Sequence, residues 1–278
     1  MRLNPNRRLT NRSRGEHLSG RGGTSTEFTD YRNYVPGDDI RHVDWNIFAR
    51  LQRPYLKQFR HEEEMHVVIL VDASASMQCA GKFELAKKIA GAFGVMGLLN
   101  VERISVVSCG HQGTRPQILP PCTGRASTRR LFDFVEGLQG GGDYPVEKAI
   151  ETVLRVHRGR GIAAVLSDFL TFGDLHRAFN LLYSAGLELF AVQILAPQEI
   201  DPEIAGDVRF VDSETGRTLD ISSAADLLGI YHEHRRQLED DLNLLCRQRN
   251  GRFLSVRSDT PLDEVLFNMM SRGGWVVN

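Results

Sequence analysis

Three stretches of this 278-residue chain carry side chains suited to holding a small, hard cation. Asp72, Ser74 and Ser76 follow the apolar run Val67 to Val71 at alternate positions. Asp168 follows a second apolar run, Ile162 to Leu166, and Asp143 closes the glycine run Gly140-Gly141-Gly142. Carboxylate and hydroxyl oxygens are the donors that Mg²⁺ takes, at about 2.0–2.1 Å in an octahedron that usually keeps several waters. One carboxylate and two hydroxyls supply part of that shell. Two unpaired acids at one place repel, and a dication removes the conflict. The plainer reading is that Asp72 caps a helix and the serines are ordinary loop residues. The alternation Asp-x-Ser-x-Ser directly after an apolar strand, with a second strand-terminal Asp downstream, favours Mg²⁺ (or Mn²⁺) instead.

Positioning these residues requires a sheet. Val67 to Val71 is continuous, largely β-branched and free of polar alternation, the pattern of a strand covered on both faces. A helix follows from Lys82 to Leu99, with Phe83, Ala86, Ala90, Phe93 and Met96 recurring at three- and four-residue steps. Beyond it the pattern predicts strands near Arg103 to Ser108, Gln117 to Leu119, Ile162 to Leu166 and Glu188 to Ile194. Helices are predicted over Ala126 to Leu138, Val146 to His157 and Leu175 to Ser184. Asp212-Ser213-Glu214-Thr215-Gly216 reads as a turn between two short strands. Ser223 and Asp226 open a long helix through Arg249, followed by a strand near Arg252 to Val256 and a helix start at Thr260-Pro261-Leu262-Asp263. This order implies an α/β fold: a doubly wound, mostly parallel sheet with an N-terminal arm and a small β insertion at about 198–222. In such sheets the strand-to-helix loops at the carboxyl edge take ligands. Residues 1–62 form the arm, with 1–14 as a solvated terminus, packed on a body of residues 63–278. Within the arm Arg32, Asp38, Asp39, Arg41, Asp44 and Arg50 offer matched charges beside Tyr34 and Trp45, a network expected to pin the arm to the body, the alternative being a partner-binding surface.

Composition excludes several classes. Lys and Arg total 34 against 35 Asp and Glu, so no global field steers the chain to nucleic acid. The basic start, with Arg2, Arg7, Arg8, Arg12 and Arg14, lacks the apolar core of a signal peptide, and no apolar run reaches the length of a membrane span. A cytoplasmic location is expected. Cys79, Cys109, Cys122 and Cys246 show no Cys-x-x-Cys or zinc spacing, so reduced, mostly buried thiols are expected. Neither His61-Glu62-Glu63-Glu64-Met65-His66 nor His232-Glu233-His234 has the spacing of a zinc helix, and no nucleophile elbow or phosphate loop occurs.

Asp72-Ala73-Ser74-Ala75-Ser76-Met77 resembles the metal-ion-dependent adhesion motif (MIDAS) of von Willebrand factor A domains. Upstream, Arg32-Asn33-Tyr34-Val35-Pro36-Gly37-Asp38-Asp39-Ile40-Arg41-His42-Val43-Asp44-Trp45 resembles the DUF58 family within that superfamily, as do Gly23 to Phe28, Ala49-Arg50 and Phe59-Arg60-His61-Glu62. Val208 to Gly216 is similar to the family's late segment. The resemblance spans about residues 15 to 270. It implies direct coordination by Ser74 and Ser76, with Asp72 and Asp168 holding the ion through water. A vacant valence would then accept a partner protein's carboxylate. One departure stands out: Asp143 or Tyr144 occupies the place where the superfamily carries Thr, which makes Asp143 a candidate ligand. The resemblance further implies a protein-binding module, not an enzyme, whose partner is a MoxR-type AAA+ ATPase acting in chaperone-like remodelling or cofactor insertion. The alternative is a Mg²⁺-dependent phosphoester hydrolase, disfavoured because Asp72-Ala73-Ser74 lacks a second acid two residues on and no His or Lys flanks the motif as a base.

Overall fold

The computed structural model describes residues 1–5, 26–61, 65–109, 116–142, 146–157, 159–170, 173–202, 208–211, 218–221 and 228–277. It divides into two compact units: Arg8–Glu64, and Met1–Arg7 with Met65–Asn278. The first residues therefore group with the body. Strand β1 (Arg2–Leu3) pairs antiparallel with the C-terminal β12 (Val276–Val277), and Leu3 is buried. The expectation of a solvated terminus fails for these residues, because a closing strand at the other end of the chain gives Leu3 an apolar place. Residues 6–14 lie outside the described ones.

In the small unit, β2 (Thr26–Asn33) and β3 (Tyr55–His61) pair antiparallel around helix α1 (Trp45–Leu51). Asp44 caps α1, accepting from the backbone N–H of Asn46 and Ile47, and also takes the Tyr31 hydroxyl and the Lys57 ammonium. Arg32 forms a two-pronged pair with Asp38, and Arg41 pairs with Asp39. These contacts lie within the small unit, and they are unequal. Asp44 is buried and satisfies four donors, whereas the Arg41 side chain is 78% exposed and an exposed pair contributes little. Trp45 is exposed and leans edge-on against Phe48, outside any buried network. Asp44→Ala should therefore lower the melting temperature of this unit, followed by Trp fluorescence, while Arg41→Ala leaves it unchanged; equal losses would contradict this ranking.

The body is built on six strands in the order β11-β8-β7-β4-β5-β6. These are β4 (His66–Asp72), β5 (Arg103–Cys109), β6 (Gln117–Cys122), β7 (Gly161–Ser167), β8 (Leu187–Leu195) and β11 (Arg252–Arg257). All neighbours run parallel except the edge strand β6. Every residue of β4, β7 and β8 is buried, as in strands covered on both faces; the apolar runs of β4 and β7 are unbroken, whereas β8 carries Glu188 and Gln193. The sheet is flanked by α2 (Lys82–Leu99), α3 (Thr128–Glu136), α4 (Val146–Val156), α5 (Leu175–Ser184), the short α6 (Pro197–Ile200) and α7 (Leu228–Gln248). Helix α2 buries Phe83, Ile89, Ala90, Phe93 and Leu98, and Gly94 lets α3 approach closely: a Cβ there would lie 2.4 Å from Leu131 Cδ2. The insertion forms the expected pair, β9 (Val208–Val211) with β10 (Thr218–Ile221), while its turn and the Ser223/Asp226 cap lie outside the described residues.

His61 closes β3 and His66 opens β4, so the two histidines of the first His-rich patch stand on strands. His66 instead joins a buried chain at the amino edge of the sheet. His157 Nε2 faces the Gly159 carbonyl at 2.8 Å, which can only accept, so that nitrogen carries the proton. His157 Nδ1 must then accept from His66 Nδ1 at 2.9 Å, and His66 Nε2 accepts from the Ser105 hydroxyl at 2.9 Å. A second proton on His66 would have to sit on Nε2 and turn the Ser105 hydroxyl from donor to acceptor. Burial first, then His157 and Arg103, push the His66 pKa down to about 4. Between pH 6.5 and 4 the unfolded chain thus takes up a proton that the folded chain refuses. Stability from this group is complete above about 6.5 and lost as pH falls through the window, by on the order of 2–3 kcal/mol. Urea midpoints of wild type should fall more between pH 7 and 4.5 than those of His66→Gln; parallel profiles would contradict the assignment.

Candidate metal centre

Strand β4 lies between β7 and β5, with the chain leaving it toward opposite sides, so the carboxyl ends of β4 and β7 border the crevice where open α/β sheets bind ligands. Asp72 ends β4 and Asp168 directly follows β7. Asp72 is held rigidly: Oδ1 accepts the Ser74 N–H at 2.9 Å and Oδ2 accepts the Ser167 hydroxyl at 2.6 Å. The first bond is an Asx turn, which bends the chain so that Ser74 and Ser76 bring their hydroxyls within 3.0 Å. The glycine loop is fastened to the same turn. Gly141 N–H donates to the Ala73 carbonyl, and Ala75 N–H donates to the Gly142 carbonyl. Gly140 must be glycine, since a Cβ would lie 2.7 Å from the Ala73 carbonyl oxygen. Asp143, the next candidate, lies outside the described residues.

The structure thus gathers Asp72, Ser74 and Ser76 and sets Asp168 on the adjoining strand end, but Asp168 is engaged elsewhere. Its Oδ2 receives the Lys82 ammonium at 2.9 Å and its Oδ1 the Leu170 N–H at 3.1 Å. Lys82, first residue of α2, is fully buried and also contacts Glu199 Oε1 on α6 at 2.5 Å. The reading that no lysine sits beside the motif is thereby corrected. Five residues lie between Ser76 and Lys82, and the chain passes through left-handed conformations at Ala80 and Gly81 before Lys82 opens α2 beside Asp168. One local signal pointed there: a cation in the first turn of a helix opposes the helix dipole, so Lys82 answers to something other than α2. Phe169 adopts φ +57° while fully buried, a strained conformation that sends its ring into the core against Phe179 as Asp168 turns to Lys82.

Electrostatics follow from this packing. Burial, and secondly the nearby Asp168, push the Asp72 carboxyl up to about 6, against the opposing hydrogen bonds from Ser167 and Ser74. Burial alone would lower the Lys82 pKa, yet Asp168 and Glu199 outweigh it and hold the proton on. The donor set fits a hard dication. The 3.0 Å between the serine hydroxyls is about the separation of adjacent oxygens in an octahedron with bonds near 2.0–2.1 Å. No cation pairs with Asp72 among the described residues. Among the described residues no group of three or more His, Cys, Asp or Glu is placed to hold a metal, so any such centre relies on hydroxyl oxygens rather than on zinc-type ligands. Of the cysteines, Cys109, Cys122 and Cys246 are buried, while Cys79 is exposed because it falls in the turn Ser76–Gly81.

A family profile described as "Protein of unknown function DUF58" matches residues 30–239. The chain belongs to the DUF58 family. Among relatives, the DUF58 chain is 28% identical over 255 residues to Uncharacterized protein Rv1480 of Mycobacterium tuberculosis, spanning 88% of this chain and 78% of the relative. Solved structures similar to it include the conserved hypothetical protein BatB from Bacteroides thetaiotaomicron, with TM-score 0.48, 14% identity and coverage of 75% of this chain and 98% of that one. Another is a von Willebrand factor type A structure from Catenulispora acidiphila, with TM-score 0.39, 18% identity and coverage of 49% and 34%. The fold of this DUF58 protein is read from its own sheet order, not from these likenesses. Among the described residues, no helix is long and apolar enough to cross a membrane.

Proposed function

We propose that this DUF58 protein is a metal-dependent protein-interaction module, with Mg²⁺ or Mn²⁺ at the carboxyl edge of its sheet. The observation that carries the reading is the turn in which a buried, doubly hydrogen-bonded Asp72 presents two serine hydroxyls 3.0 Å apart. Ser74 and Ser76 would hold the ion, Asp72 would balance its charge from behind, and the Gly140–Gly142 loop keeps the turn in shape. When bound, the dication supplies a vacant valence to an anionic group of a partner. Family resemblance points to a MoxR-type AAA+ ATPase as that partner and to remodelling or cofactor insertion as the task. Capture from native lysate should enrich such an ATPase with wild type in Mg²⁺, and lose it in chelator and with Asp72→Ala. Enrichment indifferent to both treatments would overturn the metal dependence, and failure of any ATPase to enrich would overturn the partner. Hydrolysis of phosphoesters gains nothing from Lys82, because its ammonium is fully buried, protonated and shared by two acids, and cannot serve as a base.

A further inference from the structure

Lys82, Asp168 and Glu199 come from three separate elements and are fixed from every side. Glu199 Oε2 accepts the Ala196 N–H at 2.7 Å, and the Glu199 carbonyl accepts the Tyr231 hydroxyl of α7 at 2.5 Å. Gln193 Nε2 donates to the Asp168 carbonyl at 3.1 Å. Asp72, Asp168 and Glu199 are three acids set against this one ammonium. The ammonium lies between two carboxylates, where a second cation would otherwise be drawn.

We infer that Lys82 is the specificity-determining residue of the metal centre: its ammonium occupies Asp168 and Glu199, so among these three acids Asp72 is the one left to neutralise a dication at Ser74 and Ser76. The inference rests on the reading of that turn as a metal site. The physical consequence is a trade. A dication facing one carboxylate keeps net positive charge and attracts an anionic partner, whereas one facing two is held more tightly and attracts it less. Lys82 thereby gives up metal affinity in favour of anion capture. Arginine at this position would not fit the same role, since its planar fork needs a wider place than a point-like ammonium.

The test measures Mn²⁺ affinity by electron paramagnetic resonance of the free ion, with melting temperature in chelator and in excess Mn²⁺, for the full chain. Lys82→Met should bind Mn²⁺ at least about tenfold more tightly than wild type and regain in Mn²⁺ the stability it loses in chelator. Glu199→Gln, which removes one acid and leaves Lys82 in place, should bind more weakly than wild type. Equal or weaker Mn²⁺ affinity in Lys82→Met overturns the inference while leaving the metal site standing. Binding by Lys82→Met but not by wild type upholds the ammonium as the resident cation and overturns the metal reading; binding by neither overturns both. Should Lys82→Met fail to fold even in Mn²⁺, Glu199→Gln decides, and an affinity equal to or above wild type overturns the inference.

Discussion

Asp168→Ala is expected to destabilise the body by about 3–5 kcal/mol, the cost of breaking a buried ion pair from one side. Lys82 has no solvent exposure, and after the substitution only Glu199, itself 24% exposed, faces its ammonium. The Leu170 N–H loses its acceptor as well, which removes one of the bonds that flank the strained backbone at Phe169. Urea unfolding should show the same loss in chelator and in Mg²⁺, because the pair is part of the fold before any metal binds. Asp168→Asn keeps one uncharged carbonyl oxygen, enough for one of the two donors, and should fall between alanine and wild type. A loss seen only in Mg²⁺ would mean that Asp168 serves the metal rather than Lys82.

Asp72→Asn should do the opposite in chelator and raise stability. The wild-type carboxyl titrates at about 6 in the fold against an ordinary 3.8, chiefly through burial. A raised folded pKa favours the neutral form, so its stabilising contribution is complete below about pH 4 and lost as pH rises through 6. Above that, the ionised acid costs on the order of 2–3 kcal/mol. The neutral amide escapes this cost and can still accept the Ser74 N–H, so the melting temperature of the variant at pH 7.5 should exceed wild type by several degrees. The gain should vanish near pH 4, and added Mg²⁺ should stabilise wild type alone. A function–stability trade of this kind is common where a site holds an unpaired charge in readiness for a ligand. His66 runs in the reverse sense over an overlapping window, losing stability as pH falls, so the two groups offset each other in wild type and Asp72→Asn should lose more stability than wild type between pH 7.5 and 4. An Asp72→Asn protein less stable than wild type in chelator at pH 7.5 would mean that the carboxylate is compensated without metal.

The alternation of strands and helices, the apolar runs of the parallel strands and the placing of Asp72 and Asp168 at strand ends were legible in the sequence. Each is written in a window of a few residues: a β-branched run without polar alternation, a three-and-four spacing, a carboxylate where the apolar run stops. The antiparallel edge strand at Gln117 and the β insertion were legible for the same reason, from short strands around turn residues. The tertiary structure decided which charges meet. Asp168 and Lys82 lie 86 residues apart and Glu199 lies 117 from Lys82, so their pairing exists only once β7, α2 and α6 have been brought together. Two acids in conflict, as read along the chain, call for a metal to reconcile them, while the fold had already supplied one ammonium. His66 and His157, 91 residues apart, and the closure of Arg2–Leu3 on Val276–Val277 are of the same kind. Local pattern determines what each segment becomes; burial forces its polar groups to find partners, and only the crossovers of the chain determine which partners those are.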